Sequence, residues 1–267
     1  MGVRLFNRTT RSVSLTEAGE QFLAKVRPAL REISEAIDAA NAFRDTPAGM
    51  LRLNTSEAAA RQILTPVVIE FLRRYPQMQV DLVTQGRLVD IVAEGFDAGI
   101  RLAEAVPQDM IAIPCGPEQR YAVVGSPAYF KNRTRPGTPG DLVAHECIRG
   151  RLPSGAFLRW EFEKRGEQII VDVKGVLTLD HYELWIEAAQ EGVGLAYVNE
   201  WSASEEIASG RLIRVLEDWT PSFPGLRLYY PGHRHVPAGL RAFVGLVREI
   251  AVRRDEVSSS SHQPGDL

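Results

Sequence analysis

Between residues 50 and 252 short apolar runs alternate with longer amphipathic stretches, and that alternation limits the chain to a few architectures. Residues 51–53, 79–83, 98–102, 121–124, 146–149, 158–162, 169–173, 194–198, 212–216 and 226–230 read as strands. Residues 57–75, 88–93, 181–191, 200–208 and 237–252 read as helices. The first has Ile63, Leu64, Val67, Val68, Phe71 and Leu72 on its buried side, and Pro76 stops it. Strands alternating with helices argue for parallel sheets flanked by helices. Roughly 200 residues are long for one open sheet, so two small α/β lobes with a cleft between them fit better. Ligands of such sheets bind at the carboxyl ends of strands, near a topological switch point.

A different period precedes this region. Phe22, Val26, Leu30, Ile33, Ile37 and Ala40 recur at alternating spacings of three and four. So narrow a stripe suits a coiled-coil seam, and residues 16–45 are expected to form a dimerising helix. Ser14 and Thr16 offer N-caps, Ser14 and Glu17 have capping-box spacing, and Pro28 should kink or weaken one turn. Thr46-Pro47-Ala48-Gly49 punctuates the end. Ahead of the helix lies a short basic segment with Arg4, Arg8 and Arg11.

Net charge is −3, so any basic surface for nucleic acid must be local. The N-terminus lacks the apolar core of a secretory signal, and no run is long enough to cross a membrane, which points to the cytoplasm. Two cysteines, Cys115 and Cys147, make no disulfide framework and read as structural thiols; a redox-sensing role is the alternative. Gly192-x-Gly194 lacks the third glycine of a dinucleotide fingerprint, and there is no Gly-x-Ser-x-Gly elbow. His233-x-His235 has no companion cluster to complete a metal site and reads as a surface loop. No cofactor and no catalytic set is expected; Asp90 is the kind of strand-end carboxylate an enzyme would use as a base.

Several motifs in order carry a family resemblance. Leu5-Phe6-x-Arg8-x-x-Arg11-x-x-x-Leu15-Thr16-x-Ala18-Gly19 resembles the wing and linker-helix start of LysR-type transcriptional regulators. Gly49-x-Leu51-Arg52-Leu53, Leu64-x-Pro66, Tyr75-Pro76, Gly95-x-Asp97-x-Gly99-Ile100-Arg101 and Ser126-Pro127-x-Tyr129 resemble that family's effector domain. So do Asp141-Leu142-x-x-His145-x-Cys147-Ile148, Ala188-Ala189-x-x-Gly192-x-Gly194-Leu195-Ala196, Gly210-Arg211-Leu212 and Arg241-Ala242-Phe243. The resemblance implies an α/β fold of two Rossmann-like lobes around a central cleft, like the type 2 periplasmic binding proteins, preceded by a long linker helix and a winged-helix remnant. The domains would be a wing remnant at 1–15, the linker at 16–45 and the effector domain at 50–252. Lobe I would comprise 50–120 and 226–252, lobe II 121–225, with a disordered tail at 253–267. Family members carry a helix-turn-helix before the wing, so the sequence is expected to be truncated, to have a misassigned start, or to be a headless variant.

The resemblance implies a regulator that binds a small-molecule effector, forms a homodimer or homotetramer, and meets promoter DNA through a complete N-terminal domain, with no membrane partner. Arg4, Arg8 and Arg11 would touch DNA backbone in an intact wing. The rival readings are a solute-binding protein of a transport system and, further off, an enzyme. For an anionic effector, Thr55 and Ser56 lie at a helix N-terminus, where N–H groups and the dipole favour a carboxylate, and Ser126 repeats the arrangement. The alternative for each serine is a plain N-cap. Arg101 and Arg149 close strands and suit bidentate pairing, or else structural salt bridges. Arg87 would line the rim, His181 would contact ligand or cap a helix, and Tyr197 and Asn199 would face the cleft from the far side.

Overall fold

The computed structural model describes residues 3–8, 13–41, 47–232 and 236–260. Strands β1 (Phe6–Arg8) and β2 (Val13–Leu15) form an antiparallel hairpin ahead of helix α1 (Glu17–Asn41). Thr16, not Ser14, caps α1: its hydroxyl accepts from Gly19 N at 3.0 Å and donates to Arg4 O at 2.7 Å. Helix α1 runs through Pro28 without a break. Leu30 and Ile33 are more than half exposed on it, Phe22 is 39% exposed and Val26 half-buried. The Ile37 side chain and Arg11 lie outside the described residues, as do His233 and His235.

The chain then builds the first sheet. Strand β3 (Gly49–Thr55) leads into α2 (Glu57–Ile63), a π-helical segment (Leu64–Ile69) and α3 (Glu70–Arg74). A single helix was expected over 57–75. Pro66 has no N–H and its ring crowds the carbonyl four residues back, and the wider π turn accommodates both. Strands β4 (Met78–Thr84), β5 (Ala98–Leu102) and β6 (Met110–Pro114) follow. No helix forms at 88–93: the Asp90 carboxylate accepts from Val92 N and Ala93 N, closing a turn instead.

Strand β7 (Gln119–Gly125) carries the chain into the second lobe, with α4 (Pro127–Phe130), β8 (Arg149–Gly150), β9 (Trp160–Lys164), β10 (Glu167–Val171), β11 (Thr178–Leu179) and α5 (Tyr182–Gln190). Then come β12 (Ala196–Asn199), α6 (Ser204–Ala208), β13 (Ile213–Val215) and β14 (Ser222–Phe223). The chain returns through β15 (Leu226–Pro231) to α7 (Ala238–Ser260). Helix α7 continues past Val252, so residues 253–260 are helical rather than a disordered tail. Nothing between 253 and 260 breaks a helix, and Arg253 pairs with Glu249 one turn back.

Lobe I has strand order β4-β3-β5-β15-β6, with β3 parallel to β4 and β5 and β15 antiparallel to both neighbours. Alternation along β3 sends Leu51 and Leu53 to a core with Ile63, Val67, Phe71, Phe243 and Val247. The opposite face carries Tyr229, Ile91 and Phe96. There Gly99 is required: a Cβ would stand 2.3 Å from the Tyr229 ring. Lobe II is mixed rather than parallel. Strand β7 lies between β12 and β13, antiparallel to both, and β9–β10 is a hairpin turned at Arg165 and Gly166 with positive φ. Expecting parallel pairing alone missed this, because Arg165-Gly166 takes a hairpin turn of only two residues.

The two chain crossings run side by side. Strand β14 pairs with the start of β7 at Arg120 and Gln119, and a Cβ on Gly225 would stand 1.8 Å from Pro117 O. The first crossing therefore precedes residues 121–124, of which Ala122, Val123 and Val124 are fully buried in lobe II.

Arg101 ties lobe I together. It is 6% exposed and donates to Ile100 O at 2.8 Å, Asn54 Oδ1 at 2.5 Å, Gln85 O at 3.0 Å and Arg87 O at 3.3 Å. Burial lowers its pKa, with the Tyr229 phenol opposing. Replacing Arg101 by Ala leaves these acceptors facing a void. The expected loss is about 3 kcal/mol of unfolding free energy in urea titration; a loss below about 0.5 kcal/mol, the scale of an ordinary surface substitution, would contradict that role.

Candidate functional site between the two sheets

The carboxyl ends of β3, β4 and β5 in lobe I and of β8, β11 and β12 in lobe II bound the space between the lobes. Beyond β3, Ser56 caps α2, accepting from Ala59 N at 3.2 Å. Beyond β4 lies the exposed Gln85-Gly86-Arg87 turn. From lobe II, Arg149 sits at a strand end with its guanidinium 3.8 Å from the Phe157 ring centre; Arg151 approaches the same ring at 5.0 Å. Such stacking leaves a guanidinium edge free to donate. Among the described residues neither Arg149, Arg151 nor Arg87 forms an ion pair with a carboxylate.

Contacts at a crossing and at both rims join the lobes among the described residues. Gln62 and Gln119 exchange side-chain amide hydrogen bonds at 3.1 Å, and Asn199 Nδ2 donates to Gln119 Oε1 at 2.7 Å. At one rim Gly86 faces Pro153, so closely that a Cβ would stand 2.7 Å from the ring. At the other, His181 Nε2 lies 2.9 Å from Glu57 Oε2, and Arg61 bridges Glu57 at 3.3 Å and Glu183. The Tyr182 phenol beside them is pushed up to about 12 by burial, with Arg61 opposing and Glu183 adding.

The model of the LysR substrate binding domain matches residues 44–251. The chain belongs to the LysR family of transcriptional regulators. It is 43% identical over 246 residues to the uncharacterized HTH-type transcriptional regulator YcaN of Escherichia coli K12, covering 92% of this chain and 80% of that protein. It is 40% identical over 245 residues to the HTH-type regulator PgrR of the same organism, covering 91% and 82%. Among solved structures, the full-length virulence activator AphB of Vibrio cholerae matches with TM-score 0.71 and 25% identity over 92% of this chain and 84% of that one. CrgA of Neisseria meningitidis matches with TM-score 0.65 and 26% identity over 93% and 84%. The family settles the choice in favour of a regulator over a transport protein.

Four residues expected at the regulator's cleft serve elsewhere. Thr55 is fully buried and its hydroxyl donates to Ile100 O at 3.3 Å. Arg101 is turned under the 85–87 turn by the bonds described above, so its terminal nitrogens hold the rim. Ser126 caps α4, accepting from Tyr129 N at 3.2 Å, at the opposite end of the seven-residue β7 from Gln119. That is roughly 20 Å of strand away from the crossing. Tyr197 is in the lobe II core, stacked between Tyr121 at 4.6 Å and Trp160 at 5.4 Å, with its phenol donating to Glu161 O at 2.7 Å.

Ser56, Arg87, Arg149, His181 and Asn199 lie along the edges of the space between the lobes. Asn199 is committed to the hinge: besides Gln119 it accepts from Trp201 N at 3.0 Å. His181 stands at the start of α5 without a side-chain capping bond and faces lobe I. Sequence reasoning missed Glu57, Arg61, Gln62, Gln119 and Glu183. Glu57, on the helix turn after Ser56, was the one with a signal; Gln119 had none. Cys115 and Cys147 are both buried, and burial pushes each thiol up to about 12, which keeps them protonated and poor nucleophiles.

Proposed function

We propose that this regulator binds a small anionic effector between its lobes and that closure around it changes the regulator's hold on DNA. The observation that supports the charge assignment is the set of Arg87, Arg149 and Arg151, cations at the cleft edges without a carboxylate partner among the described residues. On the Arg87 side, across from Arg149 and Arg151, Ser56 brings a hydroxyl and the first N–H groups of α2. An anion held by both walls favours the closed arrangement by its differential affinity for it. No described helix is long and apolar enough to cross a membrane, and a cytoplasmic site of action suits a DNA-directed regulator.

The test is thermal denaturation against a panel of small carboxylates, each paired with its uncharged amide. Stabilisation by at least one carboxylate and not by its amide is expected, with Arg149→Ala weakening that carboxylate's affinity about tenfold or more. Stabilisation by uncharged compounds alone, or unaltered affinity in Arg149→Ala, would overturn the anionic assignment.

The exposed Phe22, Leu30 and Ile33, with Val26, support pairing of α1 with a second copy as the first step toward a homodimer or homotetramer. In such a pair the β1–β2 hairpin, with Arg4 and Arg8 exposed, would lie against DNA backbone. Ile33→Glu is expected to halve the mass read by light scattering at micromolar concentration; an unchanged mass would move the interface elsewhere.

A further inference from the structure

Glu57, His181 and Glu183 each bring one ligand atom into a cluster whose members all lie within 4.8 Å of one another. Glu57 opens α2 of lobe I, whereas His181 and Glu183 stand at the start of α5 of lobe II, so the donors converge from both sides of the cleft mouth. We propose that they form a divalent-metal site, with zinc the best-matched ion, that clasps the lobes together.

The donor chemistry comes first. One imidazole nitrogen and two carboxylate oxygens suit zinc, which binds both at about 2.0–2.2 Å. His181 Nε2 and Glu57 Oε2, 2.9 Å apart, are already close enough to share one ion. Around a tetrahedral ion, ligand atoms sit about 3.4 Å apart. The widest separation, no more than 4.8 Å, must therefore shrink by at most about 1.4 Å, within reach of a glutamate rotamer change. The side chains are partly open to solvent, at 38% for Glu57, 41% for His181 and 37% for Glu183, so an ion can enter. Three protein ligands leave the fourth position to water.

Arg61 is the competitor. Its guanidinium sits between Glu57 and Glu183, and its own side chain is 51% exposed, so it can swing out to solvent when the ion enters. Metal and Arg61 are thus alternative cross-links of one pair of carboxylates. The ion needs ligands from both lobes, so it binds the closed arrangement and stabilises it. The assignment stands apart from the anionic-effector reading, since the metal titration contains no effector.

The experiment is calorimetric titration of zinc ions into the full chain after chelator treatment. One ion per chain is expected, with Glu57→Gln and His181→Ala each weakening affinity about tenfold or more and Arg61→Ala tightening it. Glu57→Gln is nearly isosteric on a partly exposed side chain, and its thermal unfolding, matched to wild type, separates lost ligation from lost fold. Dyes on the two lobes should approach on zinc addition in wild type and stay apart in Glu57→Gln. Three results would each overturn the site: no saturable binding up to roughly 100 µM zinc, equal affinity in wild type and Glu57→Gln, or binding that disappears in a His233→Ala/His235→Ala variant.

Discussion

A buried guanidinium with no carboxylate partner among the described residues organises the sensing half of this molecule. The two terminal nitrogens of Arg101 donate to neutral oxygens: a main-chain carbonyl of its own strand, the Asn54 amide of β3, and two carbonyls of the 85–87 turn, while its buried Nε has no partner among the described residues. Those acceptors belong to three chain segments that meet at one sheet end. A single side chain therefore fixes the end of β3, the end of β5 and the rim of the cleft in one arrangement. Ser56 and the start of α2 follow directly from Asn54 and Thr55, so the lobe I wall of the cleft inherits this rigidity. Burying the charge carries a desolvation cost, seen in its lowered pKa, and the hydrogen bonds offset it.

Against that fixed wall the second lobe is held by contacts of two kinds. The crossings are tight: Gly225 against Pro117, strand β14 on β7, and the Gln62, Gln119 and Asn199 amides in one hydrogen-bonded group. The rims are partly open to solvent, with Glu57, Arg61, His181 and Glu183 on one side. Exposed ion pairs contribute at most about 1 kcal/mol each, so closure at the rim is a shallow preference over a firm hinge. A shallow preference is what a sensor needs, because modest differential affinity of a ligand then shifts it.

The two-lobe plan was legible because hydrophobic period survives folding: the runs at 51–53, 98–102, 121–124 and 226–230 lie within or along β3, β5, β7 and β15. Direction was not. Ser126 looked equivalent to Ser56, both being caps after a strand, yet β7 runs antiparallel to β12 and so presents its cap away from the cleft. Nothing local to Gly125-Ser126-Pro127 encodes that pairing. Arg101 and Tyr197 failed for a related reason. A strand-end position says where the backbone stops, whereas the choice between cleft and interior depended on the 85–87 turn and on Trp160, both distant in sequence. The rim cluster escaped because its members are ordinary helix-start residues until the lobes bring them together.

Hydrogen exchange of the full chain, with and without the carboxylate that stabilises it most, tests the sensing cleft most directly. Slowed exchange is expected at residues 56–62, 85–87, 149–151 and 181–183, from both lobes, with α1 and the β9–β10 hairpin unchanged. Protection confined to one lobe, or appearing along α1 while those four segments stay as they were, would contradict a ligand held between the lobes.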